Sequence, residues 1–137
     1  MRLPQTGGCQ CAKSRYEITE RPRAIYTCHC SACQRLTGSA YSMAVLVPDD
    51  AFHLTGVELR PIQRTADSGR VVIRYVCPEC GSWVCNAARP DGRRVRAGTL
   101  DDVSWLQPTL HFWTRNKQPW VTLPKGDQIF QTEPINA

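Results

Sequence analysis

Short runs of alternating or β-branched residues recur along the chain, separated by Pro and Gly every dozen or so positions. Arg15-Tyr16-Glu17-Ile18-Thr19 alternates polar with apolar, the two-residue period of a half-buried strand. The stretch 41–47 is a stronger apolar run, and Phe52-His53-Leu54-Thr55 ends at Gly56. Arg-Val-Val-Ile-Arg-Tyr-Val over 70–76 is rich in β-branched residues, and 83–87, 93–97 and 110–114 complete the set. Many short strands with regular turn signals predict a mainly β chain of small antiparallel sheets with one or two short helical turns. The helical exception is 31–36, where Ser31 is placed to cap and Gly38 to stop a helix. Residues 101–106 predict a second short turn, and the chain after Phe130 is expected to fray. No repeat, low-complexity tract or dividing linker interrupts residues 1–137, which predicts a single domain.

Composition narrows the picture. The 137 residues are 42% apolar and 21% charged, a globular balance that excludes a wholly disordered chain. The longest apolar run, Met43 to Val47, is far too short to span a membrane. The first twenty residues lack the apolar core of a signal peptide, so the expected location is the cytoplasm. Seventeen basic against twelve acidic residues give a net charge of +5, and the excess is mostly arginine, suited to bidentate capture of carboxylate or phosphate. Arg89, Arg93, Arg94 and Arg96 form a local cluster, read as a solvated basic strand or turn, with an anion-binding patch as the alternative. No interleaving of aromatic and basic residues marks a nucleic-acid surface, so nucleic acid is not the expected partner.

Eight cysteines change the reading most. They fall as Cys9 and Cys11; Cys28, Cys30 and Cys33; Cys77 and Cys80; and Cys85 alone. Pairs at such close spacing suit a metal, because two thiolates from one tight turn reach the same ion. Neighbours within Cys9-Gln10-Cys11 or Cys28-His29-Cys30 cannot bridge each other without strain. Gly7-Gly8 and Gly81 are placed to supply the tight backbone of such knuckles. Cys77-Pro78-Glu79-Cys80-Gly81 needs a second pair, and Cys9 with Cys11 provides it, stapling the N-terminal strand to the middle of the chain. Cys28, Cys30 and Cys33 offer three thiolates with a fourth position open, the pattern of a reactive zinc. The alternative is a second closed site completed by Cys85 or a histidine. Zinc suits both donor sets, and iron is not excluded by them.

The remaining candidates carry competing readings. Cys85 shares a strand face with Trp83 and reads as core packing. His29 is the obvious spare ligand, proton shuttle or substrate contact, against a solvated loop histidine. His53 reads as structural or surface, and His111 as a structural hydrogen bond or a group facing the site. Arg35 is placed to bind an anionic substrate group. Trp83, Trp113 and Trp120 form either an apolar wall or core.

Gly7-Gly8-Cys9-Gln10-Cys11 with Arg15-Tyr16-Glu17, then Cys28-His29-Cys30-Ser31-Ala32-Cys33-Gln34-Arg35 with Thr37-Gly38-Ser39, then Cys77-Pro78-Glu79-Cys80-Gly81-Ser82 resemble the glutathione-dependent formaldehyde-activating enzyme family, also called the centromere protein V family. Gly98-Thr99-Leu100-Asp101-Asp102, His111 to Trp113 and Pro119-Trp120 follow in the family's order, so the resemblance covers roughly residues 5 to 125. It implies a zinc-stapled β-tent. It also implies a structural zinc on Cys9, Cys11, Cys77 and Cys80, and a second, reactive zinc on Cys28, Cys30 and Cys33. The implied chemistry is carbon–sulfur lyase chemistry in which the thiol of glutathione adds formaldehyde. A non-catalytic zinc-binding interaction module of the same fold is the alternative. Two features depart from the pattern: Ala12 stands where the family commonly has Gly, and Cys85 has no counterpart.

Overall fold

A computed structural model describes residues 1–133. The strands are β1 (Gln5–Gly8), β2 (Arg15–Ile18), β3 (Ala24–Cys28), β4 (Ser42–Val47), β5 (Phe52–Leu54), β6 (Arg60–Thr65), β7 (Val71–Val76), β8 (Trp83–Asn86), β9 (Arg93–Arg96), β10 (Leu110–Phe112) and β11 (Gln128–Ile129), with one helix, α1 (Ser31–Thr37). The mainly β expectation holds. Every strand predicted from alternation is present, trimmed by a residue or two at its ends. Strands β1, β3, β6 and β11 were not anticipated. Two glycines in β1, Pro61 in β6 and the two-residue length of β11 mask their period, and β3 does not alternate, with Tyr26 and Thr27 buried side by side.

The strands form a three-stranded sheet, β1-β2-β5, and an eight-stranded sheet, β11-β10-β3-β4-β9-β8-β7-β6. Pairing is antiparallel except that β10 runs parallel to both β3 and β11, which corrects the expectation of purely antiparallel sheets. The sheets pack face to face. Tyr16 and Ile18 of β2 meet Val45 and Val47 of β4, Val84 and Cys85 of β8 and Val95 of β9, all essentially sealed from water. Cys85 is therefore core, as its alternation predicts. The opposite face of the large sheet carries a smaller cluster, Tyr26, Ala44 and Phe112, with Tyr26 and Phe112 stacked at 4.5 Å. That face holds the candidate site.

Helix α1 forms where predicted, but its cap is Cys30, whose sulfur accepts from the Cys33 amide at 3.3 Å, and Ser31 is the first helical residue. Gly38 ends it in the left-handed region, φ 64°, with its N–H bonded to the Gln34 carbonyl at 2.9 Å. Residues 101–106 make only a turn, closed by Leu106 N–H on Val103 O at 3.1 Å. Gly7 is needed for close approach rather than for a knuckle, since a side chain there would collide with the Tyr16 hydroxyl. The expected fraying after Phe130 is not seen up to residue 133. Thr132 O accepts from Trp113 N–H, and Glu133 pairs with Arg70 and Arg89. The last four residues lie outside the described residues.

Candidate metal and thiol site

The turn after β1 and the β7–β8 connection bring Cys9, Cys11, Cys77 and Cys80 together, all four sulfurs within 4.8 Å of one another. Cys9 and Cys11 sulfurs are 3.5 Å apart, and Cys11 and Cys77 sulfurs 3.8 Å, although Cys11 and Cys77 are 66 positions apart in the chain. Thiolates at about 2.3 Å from a tetrahedral ion sit about 3.8 Å from each other, so the donor set fits a metal. Polar neighbours favour the thiolate at Cys77 and Cys80, while Cys11 is pushed up. Ser14 N–H donates to Cys9 Sγ at 3.2 Å, and the Ser82 hydroxyl lies 3.2 Å from Cys80 Sγ. The Ser82 hydroxyl and amide pull the Cys80 thiol down to about 5. Gly81, at φ 77°, lets its N–H return to the Cys77 carbonyl at 2.9 Å.

The second group comes from one short segment. Cys28 ends β3, Cys30 caps α1 and Cys33 lies in the first turn, their sulfurs within 4.8 Å of one another and half-buried. Hydrogen bonds from Cys28, from Cys33 and from the Cys33 and Ala32 amides hold Cys30 as the thiolate, near 2. The same bonds from Cys30 and Cys33, then burial, push Cys28 up. Among the described residues no fourth Cys, His, Asp or Glu joins it. The alternative of closure by Cys85 or a histidine is therefore not realised. Cys85 lies in the core beside Arg93, and His29 and His111 turn elsewhere.

His29 is not the solvated loop residue expected. It is 0% exposed, its Nε2 lies 3.0 Å from Thr27 Oγ1, and burial, then His111 and Lys117, lower its pKa to about 4. A sealed, neutral ring offers no surface to substrate, so its position opposes the substrate-contact reading. His111 makes the structural hydrogen bonds expected, to Thr27 and Asp127. His53 is exposed on β5.

The three-cysteine group opens onto a cleft of about 840 Å³, within the ordinary range for small-molecule sites. Eight arginines line it, against the carboxylates Asp67 and Glu133. Arg35 comes from α1, exposed, and Arg115 stacks on Trp113 at 5.0 Å. Arg94 and Arg96 of β9 are buried, which corrects the reading of a solvated basic strand. Arg94 forms a two-point pair with Asp91 at 2.6 and 2.8 Å, and Arg96 stacks on Trp83 at 4.1 Å. Arg93 points to the other face, to Asp49 at 2.7 Å, because side chains alternate along a strand. Arg64, Arg70 and Arg74, also in the lining, were missed, although Arg70, Val72 and Arg74 fall on one face by simple alternation. Trp83 and Trp113 are in the wall as considered, but Trp120 is 72% exposed and lies outside this cleft, in a separate shallow pocket that also touches Arg35.

Two cysteine clusters, each able to hold a metal, and a basic cleft over the three-cysteine one define a β protein with two candidate metal sites. The glutathione-dependent formaldehyde-activating enzyme family model matches residues 4–116, and the chain belongs to that family. A Penicillium rubens protein described as a "putative glutathione-dependent formaldehyde-activating enzyme" is 32% identical over 107 residues, 73% of this chain and 55% of that protein. An Emericella nidulans protein of the same description is 32% identical over 75 residues, 53% of this chain and 37% of the relative. The chain thus spans about half the length, or less, of the curated relatives it matches. The crystal structure of a Rhodobacter sphaeroides protein shares the fold, with a TM-score of 0.57 at 16% identity over 91% of this chain and 98% of the other.

Proposed function

We propose that the protein is a zinc-dependent carbon–sulfur lyase that joins a small thiol, with glutathione as the specific candidate, to formaldehyde. The observation that carries this reading is the group of three half-buried cysteines, Cys28, Cys30 and Cys33, opening onto an arginine-lined cleft. In this reading these three hold a reactive zinc. Cys9, Cys11, Cys77 and Cys80 hold a structural one, and the chain works as one domain in the cytoplasm. No helix among the described residues is long and apolar enough to cross a membrane.

A zinc at the three-cysteine group supplies a Lewis acid and stabilises thiolate at neutral pH. The chain's own residues do the rest. Glutathione carries two carboxylates, and Arg96 and Arg35 are placed in the lining to receive them as forked, charge-assisted hydrogen bonds. Positive charge in the cleft favours the thiolate over the thiol. Phe112 and Trp113 give the cluster an apolar flank that limits water. The thiolate sulfur then bonds to the carbonyl carbon of formaldehyde, the carbonyl π pair moves to oxygen, and that oxygen takes a proton from water. The product is an S-hydroxymethyl thiol, formed without change of oxidation state.

The test follows carbon-13 formaldehyde by nuclear magnetic resonance, with glutathione, in the presence of zinc-loaded protein. The approach to adduct equilibrium should be faster than the spontaneous reaction and should lose that gain in Cys33→Ser. A rate equal to the spontaneous one with fully loaded protein removes the lyase reading.

A further inference from the structure

Glu133 stands out in the cleft because of where it comes from. It lies four residues past β11, at one edge of the eight-stranded sheet, yet it meets Arg70 just before β7, near the opposite edge, and Arg89 in the β8–β9 connection. One carboxylate oxygen is 3.5 Å from Arg70 Nη2 and the other 3.4 Å from Arg89 Nη1. The chain leading to it is tied down along the β10 wall. Phe130 N–H donates to His111 O at 2.9 Å, the Phe130 ring packs edge-on to Phe112 at 5.5 Å, and Trp113 N–H donates to Thr132 O at 3.3 Å. The segment 130–133 therefore crosses the cleft and delivers a carboxylate among its arginines.

Two ion-pair arrangements in this cleft differ in kind. Arg94 grips Asp91 at 2.6 and 2.8 Å with the guanidinium buried, the geometry of a fixed, charge-assisted pair. Glu133 holds Arg70 and Arg89 at 3.5 and 3.4 Å, and the Arg70 side chain is 46% exposed. Contacts that long and that wet contribute little to folding, so a ligand oxygen at ordinary hydrogen-bond distance displaces them at small cost. The field there is positive all the same. Burial, then Arg94 and Arg70, push the Arg89 guanidinium below its ordinary value, and Glu133 works against that shift. An ammonium is a poor occupant of such a place, because each oxygen of Glu133 already faces a guanidinium and both guanidiniums repel a cation. An anion fits it.

We propose that Glu133 is a specificity-determining residue of the cleft, an internal anion that competes with anionic ligands for Arg70 and Arg89. This rests on the reading that an anionic thiol enters the same cleft, and adds the group that such a thiol must contend with. A ligand carboxylate either displaces Glu133 from its two arginines or lies beside it and is repelled. A thiol without charge meets neither effect, so Glu133 narrows the advantage that the arginines give to anionic thiols.

Titration calorimetry on the zinc-loaded full chain tests this with glutathione, with 2-mercaptoethanol as a thiol without charge, and with inorganic phosphate as an anion without thiol. Glu133→Gln keeps the shape and removes the charge. It should bind glutathione and phosphate roughly threefold to tenfold more tightly than the parent, and 2-mercaptoethanol equally well. The gain should shrink as salt rises, and Glu133→Asp, which keeps the charge, should stay near the parent. Unchanged or weaker binding of both anions overturns the inference. So does weaker glutathione binding with phosphate unchanged, which would make Glu133 the acceptor of the glutathione ammonium. A lower melting temperature with every affinity unchanged assigns the pair to the fold and overturns it as well. Failure of the two readings is separable. Phosphate bound more tightly by Glu133→Gln, with no thiol accelerated, keeps the internal anion and sinks the lyase. Adduct formation accelerated with glutathione, with neither anion tightened, does the reverse.

Discussion

His111 Nε2 lies 2.8 Å from Asp127 Oδ2, and through its other nitrogen His111 reaches Thr27 Oγ1 at 2.7 Å. Thr27 Oγ1 is in turn 3.0 Å from His29 Nε2, so a chain of four polar side chains, buried except at Asp127, ends at the residue between Cys28 and Cys30. A carboxylate only accepts, so His111 Nε2–H donates to Asp127, and the Thr27 hydroxyl bridges His111 Nδ1 and His29 Nε2. Thr27 is the single link holding both rings.

Thr27→Val therefore leaves two buried imidazole nitrogens unpaired at nearly constant volume. The expected loss is about 2–4 kcal/mol, one unmade buried bond on each ring. Urea unfolding of the zinc-loaded protein measures it, and Thr27→Ser should recover most of the loss. A Val variant as stable as the parent would show that the chain of bonds contributes nothing net.

The cysteine clusters were legible because C-x-C and C-x-x-C place donors by local geometry, which survives into the fold. The pairing of Cys9 and Cys11 with Cys77 and Cys80 followed from counting donors, and the sulfurs do converge. Strands with strong alternation, such as β2 and β7, were equally visible. The arginine cleft was not, because it is assembled from β6, β7, β9, α1 and the segment after β10, and only the register between strands puts those side chains on one face. His29 misled for a related reason. Its neighbours in sequence are exposed-looking, but Thr27 and His111, 84 positions apart, enclose it.

Asp91 and Arg94 give a pH-dependent contribution. Burial alone would raise the Asp91 carboxyl, but the paired bonds and charge of Arg94 outweigh it and hold the group below its ordinary value. A depressed folded value means stability that is present above about pH 4 and is lost as pH falls through the folded value. Asp91→Asn should cost about 1–2 kcal/mol at pH 7, a discounted figure because the carboxylate is one-third exposed while Arg94 is buried. The gap between parent and variant should close below pH 4, where the protonated acid resembles the amide. Denaturant titrations at several pH values read this directly, and a gap that persists at low pH would mean that packing, not charge, is at stake.

Ala12 sits at φ 68°, closing the knuckle with its N–H on the Cys9 carbonyl at 3.0 Å. A side chain in the left-handed region costs roughly 1–2 kcal/mol, while glycine costs about 0.5–1 in lost chain entropy. Ala12→Gly should therefore raise stability by about 0.5–1 kcal/mol without changing metal content. Thermal unfolding of loaded protein checks it. A lower melting temperature would show that the alanine methyl makes compensating contacts.

The two cysteine groups should respond differently to loss of a donor. Cys77 belongs to a set that ties β1 to the β7–β8 connection, so its sulfur holds together segments far apart in the chain. Closing so long a loop constrains the unfolded chain, and structural zinc contributes on the order of 10 kcal/mol to folds that depend on it. Cys77→Ser should abolish cooperative folding. Cys33 shares its group with residues three and five positions away, so little chain entropy depends on that donor. Cys33→Ser should stay folded, lose one of two bound zinc ions and lose the acceleration of adduct formation. Metal analysis and thermal unfolding of the two variants, run side by side, separate the outcomes. If Cys33→Ser unfolds as badly as Cys77→Ser, the three-cysteine group is structural, and a binding module of the same fold replaces the lyase.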